Sequence, residues 1–277
     1  MRPVCRANSL FLLLVLSSFE AACGDAGRVI TSPKFDASAK QVELFQGLED
    51  GTFETKVIPL GPQGGNLLIV NKTDQPLTVK MPKSFVAVHV LKQFQPLQPN
   101  GIQNNQTGNQ QQGAQQAVGG GSQQNNGQAN PFGNGANGNA QGNGNGFFSI
   151  PPERTIKVSY VSTCLEHGKA DPTPRANYKL VRTADYTKDR VLQQLIAMVA
   201  SGRLNAKSAQ AAIWNRTDDM TWRELAHKYS YSVMGKVPYF RASELSAAKE
   251  IASHATKLAD DNSQSTTPET SVAVRAR

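Results

Sequence analysis

Four short apolar-rich stretches read as strands, the last of them with clean period-two alternation, and the pattern switches to a helical period in the last third of the chain. Residues 66–71 (Asn-Leu-Leu-Ile-Val-Asn), 77–81 (Leu-Thr-Val-Lys-Met), 85–90 (Phe-Val-Ala-Val-His-Val) and 155–161 (Thr-Ile-Lys-Val-Ser-Tyr-Val) predict strands. Asp74-Gln75-Pro76 and Pro82-Lys83-Ser84 supply turns between the first three, and Ile150-Pro151-Pro152 introduces the fourth. Short alternating strands at this spacing predict a small antiparallel β-sandwich built from 24–98 and 147–182. From about 187 the pattern is helical, and Val191, Leu192, Leu195, Ile196 and Val199 share a face that Gly202 ends. Asn205 caps a second helix through Ala209, Ile213 and Trp214, and Thr221 with Glu224 makes a capping box for a third that carries Trp222 and Leu225. An Ala-rich amphipathic run over 242–258 completes a helical unit spanning 187–260, and 261–277 reads as a frayed tail. The expected class is α+β, a sandwich followed by a small helical unit.

Between the two halves of the sandwich lies a segment of different composition. Residues 99–146 carry no charge and consist mostly of Gly, Asn and Gln, so they have too little apolar surface to offset the entropy of ordering. A disordered spacer, forming one long hairpin loop between paired strands, is the expectation. The first 23 residues have the order of a secretory signal peptide: Arg2 and Arg6, then the apolar run Leu10–Leu16, then the small residues Ala21 and Ala22. That run is too short to span a bilayer, and no later segment is apolar for long enough. The chain therefore reads as exported to the periplasm, cell surface or exterior, without a transmembrane segment. Cys23 offers a position for a lipid anchor, but Glu20 stands where a Leu-like residue is wanted.

Charge narrows the partner. The formal net charge is +8, with lysines and arginines scattered among acidic residues, which favours mild attraction to anionic polymers. A protein or polysaccharide of the cell surface fits this balance. Nucleic acid does not, because no basic cluster is interleaved with exposed aromatics in the sequence. No cofactor motif is present, and no cofactor is expected.

Cys5 and Cys23 fall in the leader, so Cys164 is the lone cysteine of the folded part and no disulfide framework can form. Around it runs Tyr160-Val-Ser-Thr-Cys-Leu-Glu-His-Gly-Lys169, and later comes Gln210-Ala-Ala-Ile-Trp214 with Thr217-Asp218-Asp219 behind it. These two stretches resemble the paired motifs of bacterial surface thioester domains. The resemblance implies a bond between Cys164 and Gln210, with Trp214 one helical turn on to shield it and His167 nearby. The chain departs from that pattern in the short separation of Cys164 and Gln210 and in Thr163, where an aromatic is usual. Cys164-x-x-His167 after a strand also resembles the metal loop of blue-copper sandwich proteins, with His89 as the upstream ligand, although no Met follows His167 in the loop. A hydrolase would pair Cys164 with His167, His227 or His254. Set against all three is a buried, inert thiol with Glu166, His167 and Lys169 on a surface turn and both tryptophans in the core. The chain as a whole resembles uncharacterised exported proteins of planctomycete-like bacteria, which share the sandwich, the Gly/Asn/Gln-rich insert and both motifs. The expected function is non-enzymatic binding or structural support outside the cell. A reactive Cys164–Gln210 thioester is one alternative, and a copper-binding sandwich is another.

Overall fold

A computed structural model describes residues 29–90, 117–122, 147–233 and 235–264. The leader, most of the insert and the chain beyond 264 lie outside the described residues. The elements of the first half are β1 (Lys40–Glu43), α1 (Leu44–Glu49), β2 (Phe53–Gly61), β3 (Gly64–Asn71), β4 (Leu77–Lys80) and β5 (Phe85–His89). Next come β6 (Val118–Ser122), β7 (Phe147–Ile150), β8 (Thr155–Cys164), β9 (Tyr178–Arg182) and α2 (Thr183–Tyr186). The last third contains α3 (Arg190–Ala200), α4 (Ala206–Thr217), α5 (Trp222–Ala226), β10 (Tyr229–Ser232), β11 (Gly235–Pro238) and α6 (Ala242–Gln264). The fold is α+β.

Six strands form an antiparallel sheet in the order β2-β3-β8-β6-β5-β9, and its two edge strands, β2 and β9, curl towards each other. A second sheet of three strands has the order β1-β4-β7, with β1 parallel to β4. Alternation is clearest in β3, where Gly65, Leu67, Ile69 and Asn71 are buried and the residues between them are half-exposed. Leu67, Ile69, Val79, Ile150 and Ile156 are each fully buried, and they join the two sheets in one apolar cluster. Asn71 ties the turns of the sequence together. Its Nδ2 donates to the carbonyls of Gln75 (2.7 Å), Ile150 (3.1 Å) and Pro151 (3.2 Å), and its Oδ1 accepts from the Thr73 N–H at 2.9 Å.

One expectation is corrected. The insert is not simply a loop between paired strands, because Val118–Ser122 forms β6 in the middle of the large sheet. Strands β5 and β8 do not pair with each other, since β6 stands between them (Phe85↔Gly120 on one side, Val118↔Cys164 on the other). Glycine, normally weak in a strand, is used here for close approach. A Cβ at Gly120 would sit 1.8 Å from the Val161 carbonyl oxygen, and one at Gly121 would sit 2.5 Å from Ala200 Cβ on α3. The rest of 99–146 lies outside the described residues. The helical unit packs directly on the sheets. Helix α3 packs on β6 and β8, α4 on β8, and α6 covers α3 and α4, so helices and sheets share one core.

The helix signals behave as expected. Asn205 Oδ1 accepts from the Lys207 and Ser208 N–H groups at 3.0 and 3.1 Å, and the Thr221–Glu224 capping box is complete. Leu192, Leu195, Ile196 and Val199 are buried on α3, and Gly202 follows its end at φ +68°. Helix α6 continues to Gln264, so the first four residues of the expected tail are helical. Among the described residues no helix is long and apolar enough to cross a membrane.

Candidate functional site

Strand β8 outlasts one of its neighbours. On the β3 side the ladder ends at Gly64↔Val161, with one further bond from the Ser162 N–H to the Gln63 carbonyl (3.0 Å). On the β6 side pairing continues to Cys164. The N–H and C=O of Cys164 therefore point to a place where the strand has run out, inside a packed core where an unmet backbone group is costly. Gln210 fills that place from helix α4. The Cys164 N–H donates to Gln210 Oε1 at 2.9 Å, and Gln210 Nε2 donates to the Cys164 carbonyl at 2.8 Å. One side-chain amide thus stands in for the missing strand residue. The structure brings Cys164 and Gln210 together across 46 residues of chain.

Both residues are withdrawn from solvent, at 1% exposure for Cys164 and 6% for Gln210. Burial pushes the Cys164 thiol up to about 12, helped by the negative charges of Asp171 and Glu166. A thiol so placed stays protonated at neutral pH and is a poor nucleophile.

Trp214 lies one turn beyond Gln210 and is 5% exposed. His167 meets its ring edge-on, with centroids 4.7 Å apart, and Tyr239 and Phe240 lie against it at 5.8 and 6.0 Å. The Trp214 indole N–H and the Thr163 hydroxyl are buried without a hydrogen-bond partner among the described residues. The His167 main-chain N–H donates to Asp218 Oδ1 at 2.9 Å, so the C-cap of α4 fastens the loop after β8. Lys228 Nζ donates to His167 Nε2 at 2.8 Å, which places the ring proton on Nδ1. Burial first, and then the Lys228 charge, hold His167 below its usual range, partly opposed by Asp218. Burial also lowers Lys228 and Lys207, and the Lys207 ammonium sits 3.4 Å from the Tyr239 ring centroid.

Not every predicted residue converges. His89, on β5, packs against Tyr178 at 5.6 Å, and no group of three His, Cys, Asp or Glu that could hold a metal forms among the described residues. The copper triad of His89, Cys164 and His167 is therefore not assembled. His227 Nδ1 is bonded to the Arg223 carbonyl at 2.7 Å, and His254 stands on α6.

Three participants were not singled out from the sequence. Glu166, read as a surface turn residue, accepts from the Ala117 N–H at 3.0 Å and pairs with Lys169, clamping the entry to β6. Lys228 was hidden because its partner lies 61 residues away. The hairpin β10–β11 was missed, although Tyr229-Ser-Tyr-Ser alternates and Gly235, at φ +102°, marks its turn. No family model, curated protein or solved structure matches the chain.

Proposed function

We propose that this chain is an exported, non-catalytic protein that holds a partner at the cell envelope or outside it. The observation that carries this reading is the state of the chemistry gathered at Cys164 among the described residues. The Cys164 thiol is buried and held protonated, and the Gln210 amide is committed at both ends to the backbone of its neighbour. That pair serves as a latch between helix α4 and the end of β8. The positive charge of the chain and a hairpin that projects from the core supply the means of contact. The test is reversible binding. The purified chain should saturate on isolated envelope of the producing cells and come off at unchanged mass in denaturant. The Cys164→Ala variant should bind equally well. Absence of saturable binding, or a covalent adduct, would overturn the reading.

One observation favours a second reading, the internal thioester. A cysteine and a glutamine matching both motifs are in contact, and Trp214 is buried one helical turn beyond the glutamine. Condensation would form the Sγ–Cδ bond and break Cδ–Nε2, with the amide nitrogen and the thiol proton leaving as ammonia. The product would have to give up the hydrogen bond from Gln210 Nε2 to the Cys164 carbonyl, leaving that oxygen unmet. Uptake of methylamine at Gln210, abolished by Cys164→Ala, would establish this reading in place of the first.

A further inference from the structure

Hairpin β10–β11 leaves the core and buries neither of its faces. All four residues of β11 are exposed, and Tyr231 and Val233 stand at 86% and 105% exposure, with Tyr229 at 40% and Val237 at 36%. A lone two-stranded hairpin is marginal in water, and large apolar groups gathered on one projection mark a contact surface more often than scattered single ones do. The register sorts the side chains. Tyr229 lies opposite Pro238 and Tyr231 opposite Lys236, so both tyrosines and Lys236 share a face, while Ser230 and Ser232 take the other. Lys236 Nζ lies 4.1 Å from the Tyr229 ring centroid.

Charge selects the occupant. From Leu225 to Ser243 the chain contains no acidic residue, yet it carries Lys228, Lys236 and Arg241. At the base of the hairpin, Lys207 and Lys228 both lie over the Tyr239 ring, at 3.4 and 5.1 Å. None of Lys207, Lys228 and Lys236 forms a salt bridge with a carboxylate among the described residues. A partner for this face must offer flat apolar patches to tyrosine rings and spaced negative charges to a few cations. A sugar polymer bearing acidic groups has both, in the C–H faces of its rings and its carboxylates or sulfates. Single-stranded nucleic acid calls instead for a groove that tracks a continuous phosphate backbone, and a projecting finger does not provide one.

From this geometry we infer that the tyrosine face of β10–β11, with Lys236 on it and Lys207 and Lys228 at its base, docks an anionic polysaccharide. The inference rests on the reversible-binding reading above and names the partner class for it. The test measures the affinity of the full chain for polygalacturonate, with dextran, polyglutamate and oligothymidylate as comparisons. Polygalacturonate should bind, and dextran and polyglutamate should bind at least about tenfold more weakly. Tyr231→Ser and Lys236→Gln should each weaken polygalacturonate binding by about tenfold or more, as truncated contact residues do. Both side chains lie on the projecting hairpin, so unchanged melting curves would confirm that folding is intact. Equal affinity for polyglutamate would reduce the contact to charge alone and overturn the inference. So would unchanged binding by Tyr231→Ser, tighter binding of oligothymidylate through the same residues, or self-association that the variants abolish. If the envelope binds the chain and Tyr231→Ser alike, the inference fails while the reading of the function stands. If the envelope binds neither, the reading itself fails.

Discussion

Replacing Gln210 with Met separates a latch from a reactive pair. Met conserves the volume of the side chain but can bridge neither the Cys164 N–H nor its carbonyl. Both groups are buried, and a stranded buried donor or acceptor costs about 1–3 kcal/mol, so Gln210→Met should lose about 2–6 kcal/mol. Cys164→Ala is the informative companion, because both bonds go to the backbone of Cys164 and survive loss of the sulfur. Its cost should be near that of one buried methylene-sized group, about 1 kcal/mol. A thioester would remove this contrast. Each substitution would then open a cross-link over a 46-residue loop, worth about 4 kcal/mol on chain-entropy grounds, and the two would not add. Urea unfolding followed by tryptophan fluorescence measures both, with the midpoint expected to fall at unchanged slope. The reasoning is refuted if Gln210→Met stays within about 0.5 kcal/mol of the parent. It is equally refuted if Cys164→Ala costs as much as Gln210→Met.

Other consequences follow from the same packing. Gly120→Val should cost at least about 3 kcal/mol or prevent folding, since its first side-chain carbon would meet the Val161 carbonyl, and thermal unfolding will report it. Trp214→Ala should lose about 3–5 kcal/mol, because the indole packs against His167, Tyr239 and Phe240; an unchanged melting curve would contradict its place in the core. His167 is held below its unfolded value, so its contribution is complete above about pH 6.5 and is lost as pH falls from there through the folded value. His167→Gln should flatten that part of the stability profile, and Lys228→Met should raise the His167 titration midpoint measured by NMR.

How much of this was legible in the sequence depended on how local each cause was. The caps at Asn205 and Thr221, the faces of α3 and α4 and the strands β3, β4, β5 and β8 follow from neighbours a few residues apart, and they appear where the pattern put them. Strand β6 was illegible for the opposite reason. Ala117-Val-Gly-Gly-Gly-Ser122 has almost no strand propensity of its own, and it is held by β5 and β8 on its flanks, by Glu166 at its start and by α3 above it. The composition of a whole low-complexity segment concealed a strand in which Gly119 and Gly121 leave room for α3 and Gly120 lies close to the backbone of β8. Within the site, the nearness of Cys164 and Gln210 agrees with their motifs, but the two hydrogen bonds between the amide and the cysteine backbone were not expected. The sequence offered a sulfur and an amide, whereas the register of β3 against β8 decides that the amide meets the cysteine backbone. The Lys228–His167 contact and the exposed hairpin depend on how α5 leads into β10, and no local pattern encodes that.

Intact-mass spectrometry of freshly purified chain, followed by alkylation after unfolding, tests most directly whether this protein binds without covalent chemistry at Cys164. The account predicts the full mass expected from the N-terminus present, and complete alkylation of Cys164 once the fold is opened. A mass short by one ammonia, restored when either Cys164 or Gln210 is replaced and accompanied by resistance of Cys164 to alkylation, would contradict it.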